Sequence, residues 1–199
     1  MTINLKKGQR ISLTKEAPGL KQIMCGLGWD VAEKAGGLLG AFGGNKEFDL
    51  DSSIICLNAD KKLTDAKNII YYGNLRHSSS AIVHQGDNLT GAGEGDDEVI
   101  NIELPLIPTD ITYLVFAINI YKCKTRKQHF GMVDNAFVRL VDRNTNKELA
   151  SYNLSGSEYS NMTGMILAEV YRHNEEWKMA AVGNGFRVDN LADIAKLYA

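Results

Sequence analysis

Nowhere in the sequence does an apolar run approach the roughly 18 residues that a membrane-spanning helix needs. No transmembrane helix is therefore encoded. Cysteine is scarce: Cys25, Cys56 and Cys123 are odd in number, widely spaced, and form no CxxC pair. That pattern offers neither a zinc site nor a disulfide framework. Basic charge is not in excess either, since the formal net charge is −2. The electrostatic footprint of a nucleic-acid binder is missing. The opening Met1 to Gly8 lacks the basic-then-apolar layout of a secretory signal, so a cytoplasmic location is expected. Helical periodicity is also rare. Only Leu191 to Tyr198 carries it, with Asp189 or Asn190 placed to cap its start.

What remains is ordinary globular composition arranged in short strands. The chain has 199 residues, of which 44% are hydrophobic and 23% charged, which suits one domain over 1–199 with a sizeable core. Gln9 to Lys15 alternates apolar and polar residues, and Leu20 to Gly28 reads as a second strand after the turn at Ala17-Pro18-Gly19. Ile54 to Leu57, Ile69 to Tyr72, Ser80 to Val83 and Glu98 to Leu104 follow, the last ended by Pro105 and Pro108. Ile111 to Tyr121, rich in β-branched and aromatic residues, reads as a central strand. Ala136 to Val141 and Leu149 to Leu154 are joined by a turn-rich link, and Met165 to Tyr171 with Trp177 to Val182 form a last hairpin. Many short strands with turns between them and little helix predict an all-β, two-sheet β-sandwich with a short C-terminal helix. Such folds gather their loops at the two ends of the sheets.

Chemistry concentrates in His84 to Glu98, which reads H-Q-G-D-N-L-T-G-A-G-E-G-D-D-E. Asp87, Glu94, Asp96, Asp97 and Glu98 lie there without a lysine or arginine among them, interleaved with Gly86, Gly91, Gly93 and Gly95. Crowded carboxylates repel, and each stays protonated or finds a cation. Several anionic oxygen donors on a backbone free to wrap suit a hard cation such as Ca²⁺. The stretch is not an EF-hand. With Asp87 at position 1, Glu98 falls at position 12, but Leu89 and Ala92 stand where an oxygen ligand and a glycine are required. The alternative is a solvated acidic hairpin loop.

Asp49 and Asp51 form a second acidic pair, two residues apart and so on one side of an extended segment. Beside the first acidic stretch they make a plausible half of the same metal site. The glycine-rich segment 31–47 reads as a connection whose apolar residues fold back on the domain, or as a loop that touches a partner or a membrane. Lys122 to Lys127 is the one basic run, read as a solvated hairpin tip with contact to phosphate or an acidic partner as the alternative.

These motifs together resemble the TerD family of tellurite-resistance and stress-response proteins over nearly the whole chain. The resemblance is carried by Ile11-Ser12-Leu13-Thr14-Lys15, Gly26-Leu27-Gly28-Trp29-Asp30, Phe48-Asp49-Leu50-Asp51-Ser52-Ser53 and the thirteen-residue signature from Gly86 to Glu98. Asn135 to Asp142 and Ala181 to Phe186 complete it, and the glycine-rich insert before Phe48 is similar to the TerZ branch. The resemblance implies a β-sandwich that binds Ca²⁺ through acidic loops at one end; six or more carboxylates exceed what one Ca²⁺ needs, so two neighbouring ions sharing ligands are expected. Carried over by motif, the metal ligands are Asp49, Asp51, Asp87, Asp96, Asp97 and Glu98, with Thr90, Gly91 and Gly93 as neutral ligands and Asp30 as an addition. Asn135 is expected to orient a carboxylate.

The function so implied is a non-catalytic interaction module in bacterial tellurite resistance or stress response. Its expected partners are other Ter-family proteins or a membrane-associated Ter complex, in the cytoplasm or peripherally at the inner membrane. A divalent-metal phosphohydrolase using the same carboxylates, with His84 as base, is the alternative. Direct redox chemistry on tellurite would rest on the cysteines; of these only Cys123, in the basic run, lies outside an apolar strand.

Overall fold

The computed structural model describes residues 2–31, 49–86, 96–153 and 159–199, with the backbone alone at 30–31 and 134–136. The expected sandwich is there. Its strands are β1 (Ile3–Asn4), β2 (Arg10–Ser12), β3 (Gln22–Val31), β4 (Leu50–Leu57), β5 (Ile69–Ile70) and β6 (Ile82–His84). They continue with β7 (Glu98–Glu103), β8 (Tyr113–Ile120), β9 (Val133–Asp142), β10 (Lys147–Asn153), β11 (Gly164–His173) and β12 (Glu176–Phe186). Among the described residues they form two six-stranded sheets, ordered β1-β10-β9-β3-β7-β6 and β2-β12-β11-β8-β4-β5.

Short helices α1 (Leu13–Glu16), α2 (Cys123–Arg126) and α3 (Leu191–Ala195) complete the fold. The first strand expected from the sequence is cut short by α1. Ser12 caps it, its hydroxyl accepting the Lys15 N–H at 3.3 Å. At the other end of the chain Asn190, one of the two expected caps, accepts from the Asp193 N–H. The β11–β12 hairpin turns on Asn174 and Glu175, both at positive φ (49° and 63°), as a two-residue turn matched to strand twist requires.

Period-two alternation sorts the side chains into two apolar layers. Between the sheets lie Leu50, Ile54 and Cys56 of β4, Ile100 and Ile102 of β7, and Leu114, Phe116 and Ile118 of β8. The opposite face of the second sheet carries Ile55, Leu57, Val115 and Ala117, covered by Ile194 and Ala195 of α3. Each such Leu or Ile, fully buried, contributes about 1.5–3 kcal/mol.

Register brings the segments of interest to one end. In the first sheet Leu27 faces Glu98 and Asp30 faces Asp134. In the second, Leu50 faces Ile120, and Asn119 faces Gly164. The end of β3, the start of β4, the end of β6, the start of β7 and the start of β9 therefore converge, as the sandwich geometry predicts.

Candidate metal centre

Alternation along β7 decides where Glu98 goes. It shares a face with Ile100 and Ile102, so its side chain enters the space between the sheets and is fully buried. There Glu98 Oε2 accepts the Ser52 N–H of β4 at 2.6 Å, joining the two sheets. Glu98 Oε1 is buried with no hydrogen-bond partner among the described residues. His84, on the inward face of β6, lies with Nε2 3.7 Å from Glu98 and 3.2 Å from the Ser52 hydroxyl. Its Nδ1 accepts the Gly86 N–H at 3.1 Å. An accepting Nδ1 carries no hydrogen, so Nε2 is the donor.

The two residues before Glu98 go elsewhere. Asp97 Oδ2 accepts the Trp29 N–H at 2.9 Å, and the Asp97 N–H donates to Leu27 O at 2.8 Å. Asp96 lies over β3, where it meets Arg139 of β9. Arg139 Nε donates to Asp96 Oδ1 at 2.8 Å and Nη2 to Oδ2 at 2.9 Å, a two-pronged pair. These bonds hold the Arg139 guanidinium above its ordinary pKa. A Cβ at position 26 would overlap the Asp96 carboxyl group, so any larger residue there would displace that side chain. Asp96 was expected as a metal ligand. Each of its oxygens accepts one hydrogen bond from Arg139.

Asp49 and Asp51 do share one side of the chain, as their spacing predicts. Leu50, Ser52 and Ile54 point between the sheets, and the odd-numbered residues of β4 take the other face. Both acids are buried, at 3% and 4% exposure. Asn119 Nδ2 of β8 donates to Asp51 Oδ2 at 2.9 Å, and Arg126 Nη1 stands 3.5 Å from Asp49 Oδ2. This pair was expected to share a metal site with Asp96, Asp97 and Glu98, beside the signature residues 87–95 that lie outside the described residues. Among the described residues no three His, Cys, Asp or Glu side chains group as a metal-holding set. Asp87, Thr90, Gly91 and Gly93 lie outside the described residues, as do the segment 32–48 and the side chains of Asp30 and Asn135.

Two partners escaped the sequence reading. Asn119 is a lone polar residue in the apolar run Tyr113 to Ile120, and that isolation was the available signal. Arg126 belongs to the basic run, expected as a solvated tip. The run is largely exposed, as expected, but it winds into α2 between left-handed Lys122 and Lys127, with φ of 51° and 55°. Its Cys123 is buried, the thiol directed at the Val188 carbonyl 3.5 Å away. Burial pushes the Cys25 thiol up, with Asp96 adding to the effect, and pushes the Cys56 thiol up to about 12. Thiols so held are protonated and poor nucleophiles.

The TerD domain family matches residues 1–198. Stress response protein SCP2 of Bacillus subtilis (strain 168) is 49% identical over 202 residues, with 100% of each chain covered. Tellurium resistance protein TerZ of Serratia marcescens is 41% identical over 192 residues, covering 96% of this chain and 94% of that one. Tellurium resistance protein TerD of the same organism is 38% identical over 198 residues, covering 100% and 97%. In three dimensions the chain is similar to a homologue of telluride resistance protein TerD from Streptomyces coelicolor A3(2). The TM-score is 0.70 at 19% identity, covering 91% of this chain and 99% of that one, a likeness of fold.

Proposed function

This chain belongs to the TerD family, and on that premise we propose that it is a calcium-binding, non-catalytic interaction module serving bacterial stress response or tellurite resistance. The relatives named for stress response and tellurium resistance support the biological role. The metal reading is carried by one observation: a fully buried glutamate, Glu98, whose Oε1 has no hydrogen-bond partner among the described residues. A buried anionic oxygen left in that condition is unfavourable until a cation or a donor meets it. Buried Asp49 and Asp51 lie at the same end of the sandwich.

The donors available are hard oxygens, the chemistry Ca²⁺ prefers, and the sulfurs and imidazoles that favour softer metals take no part. Asp49, Asp51 and Glu98 would hold the ions together with Asp87, Thr90, Gly91 and Gly93, with Asp30 and Asp97 as further oxygens. When bound, the ion supplies charge neutralisation and orders this end of the molecule. The chain's own residues set the frame: Ser52 N–H and His84 orient Glu98, and Asn119 orients Asp51. The ordered surface is then what a partner reads, either another Ter-family protein or a membrane-associated Ter complex. No helix among the described residues is long and apolar enough to cross a membrane.

The burial of His84 favours the module over the phosphohydrolase. A general base must reach the proton it removes, but the His84 side chain has no exposure and both its ring nitrogens meet protein atoms. Calorimetric titration with Ca²⁺, with Mg²⁺ as competitor, tests the proposal. The expected result is micromolar or tighter binding of about two ions per chain, selectivity for Ca²⁺, and no metal-dependent turnover on a panel of phosphoesters. Absent binding, or equal preference for Mg²⁺ with turnover lost on His84→Ala, would reverse it.

A further inference from the structure

The sequence Asp96-Asp97-Glu98 looks like one ligand cluster, yet the three side chains leave in three directions. We propose that Asp96 is a positioning residue and not a metal ligand: with Arg139 and Gly26 it forms a clamp that fastens the carboxyl end of the signature to the first sheet. The calcium reading is needed only for the affinity arm of its test.

Three observations converge on the clamp. The guanidinium of Arg139 meets Asp96 with two parallel bonds, at 2.8 and 2.9 Å, which satisfies both carboxylate oxygens at once. The Asp96 side chain is 7% exposed and that of Arg139 34%, so the carboxylate side of the pair is shielded from the solvent that weakens surface ion pairs. Gly26 stands directly across from Arg139 in the β3–β9 register, and its missing side chain is the space that the Asp96 carboxyl group fills. A carboxylate meant to wrap an ion has no need of a bidentate arginine or of a glycine cradle. An anchor needs both.

The consequence reaches the neighbours. Asp97 follows directly, and its hydrogen bonds from Trp29 N–H and to Leu27 O continue the fastening along β3. Glu98 follows in turn and is delivered into the space between the sheets with its Oε1 open. Fixing Asp96 therefore fixes the phase in which β7 begins, and so which of the acids points inward. A slip of one residue would send Glu98 to the other face.

Arg139→Gln separates the possibilities because they predict opposite signs. If Asp96 is a clamp, losing Arg139 loosens the signature: Ca²⁺ affinity falls roughly tenfold at unchanged stoichiometry, as for other outer partners of metal sites. Amide exchange at Trp29 and Asp97 then speeds by a similar factor, and Arg139→Lys, which keeps the charge without the planar fork, falls between. If Asp96 is a ligand that Arg139 restrains, Arg139→Gln frees it and binding tightens, and Asp96→Asn abolishes one ion. Either of those two results overturns the proposal. A lowered melting temperature with affinity and exchange both unchanged also overturns it, since the pair is then merely structural. Should the wild type bind no Ca²⁺, the calcium reading fails by itself. The clamp is then decided by amide exchange of the metal-free Arg139→Gln protein: faster at Trp29 and Asp97 upholds it, unchanged rejects it.

Discussion

The two ends of the sandwich handle charge in opposite ways. At the end where β8 begins and β11 finishes, acids and bases alternate in the open. Arg10, Lys15, Lys61 and Lys178 line a groove of about 530 Å³ with Glu169, Glu176 and the stacked rings of Tyr113 and Tyr171. Lys61 pairs with Glu169 at 2.8 Å and Lys15 with Glu176 at 3.4 Å, and the lysines are 45% and 73% exposed. At the other end the carboxylates Asp49, Asp51 and Glu98 are buried. Exposed charge in water needs no partner to be tolerated, whereas buried charge does. The first end is a solvated surface, and on the proposed function the second is where a cation binds.

The largest expected effect breaks that comparison wide open. Ca²⁺ at a hundredfold excess over its Kd stabilises the folded chain by about 2.7 kcal/mol, which for this size raises the melting temperature by about 5–10 °C. Differential scanning calorimetry with Ca²⁺, Mg²⁺ or chelator checks it, and a Mg²⁺ effect of equal size would count against the site.

A smaller effect is expected from pH at the solvated end. Burial holds the His77 imidazole below its ordinary pKa, and its ring is fixed by Ser79 and Asn68, at 2.8 and 3.2 Å. Since the folded value is depressed, this contribution is complete above the unfolded value of about 6.5 and is lost as pH falls through the folded one. Denaturant midpoints taken with chelator present should decline as pH drops below about 6.5, and His77→Gln should flatten the decline.

Arg126→Gln sharpens the contrast from the acidic side. Arg126 Nη1 stands 3.5 Å from Asp49 Oδ2, and a metal bound there must compete with it. Removing the guanidinium is expected to tighten Ca²⁺ binding about threefold, in line with the modest worth of an ion pair whose arginine is partly exposed. Unchanged affinity by calorimetry would remove Asp49 from the site. The smallest effects belong to the groove: Lys15→Ala and Lys61→Ala should change unfolding free energy by less than about 0.5 kcal/mol and leave Ca²⁺ binding untouched.

How far the sequence foretold these features depended on their range. Strand alternation is local, so the sandwich, the central position of β8 and the shared side of Asp49 and Asp51 were all readable. Even the inward phase of Glu98 was implicit in its spacing from Ile100 and Ile102. Partners across the sandwich were not readable. Nothing local distinguishes Asp96, seated on a glycine of β3 and held by an arginine of β9, from Glu98, which reaches β4. The strand expected over Gln9 to Lys15 failed at Ser12 because a side-chain cap there outcompeted the apolar alternation. The basic run is solvated as expected, with Lys122, Lys124, Thr125 and Lys127 exposed, but it is no hairpin tip, because β8 and β9 belong to different sheets.

One comparison of melting temperatures puts the buried carboxylate directly to the test: wild type against Glu98→Gln, each with chelator and with saturating Ca²⁺. Without metal, the amide relieves a buried charge, and the variant should be more stable than wild type by about 1 kcal/mol. With Ca²⁺ the order should reverse, because the variant has lost a ligand and with it much of the stabilisation the ion confers. A variant less stable than wild type by the same margin in both conditions would mean that Glu98 merely ties the two sheets together, and that this end of the sandwich is not built for a metal.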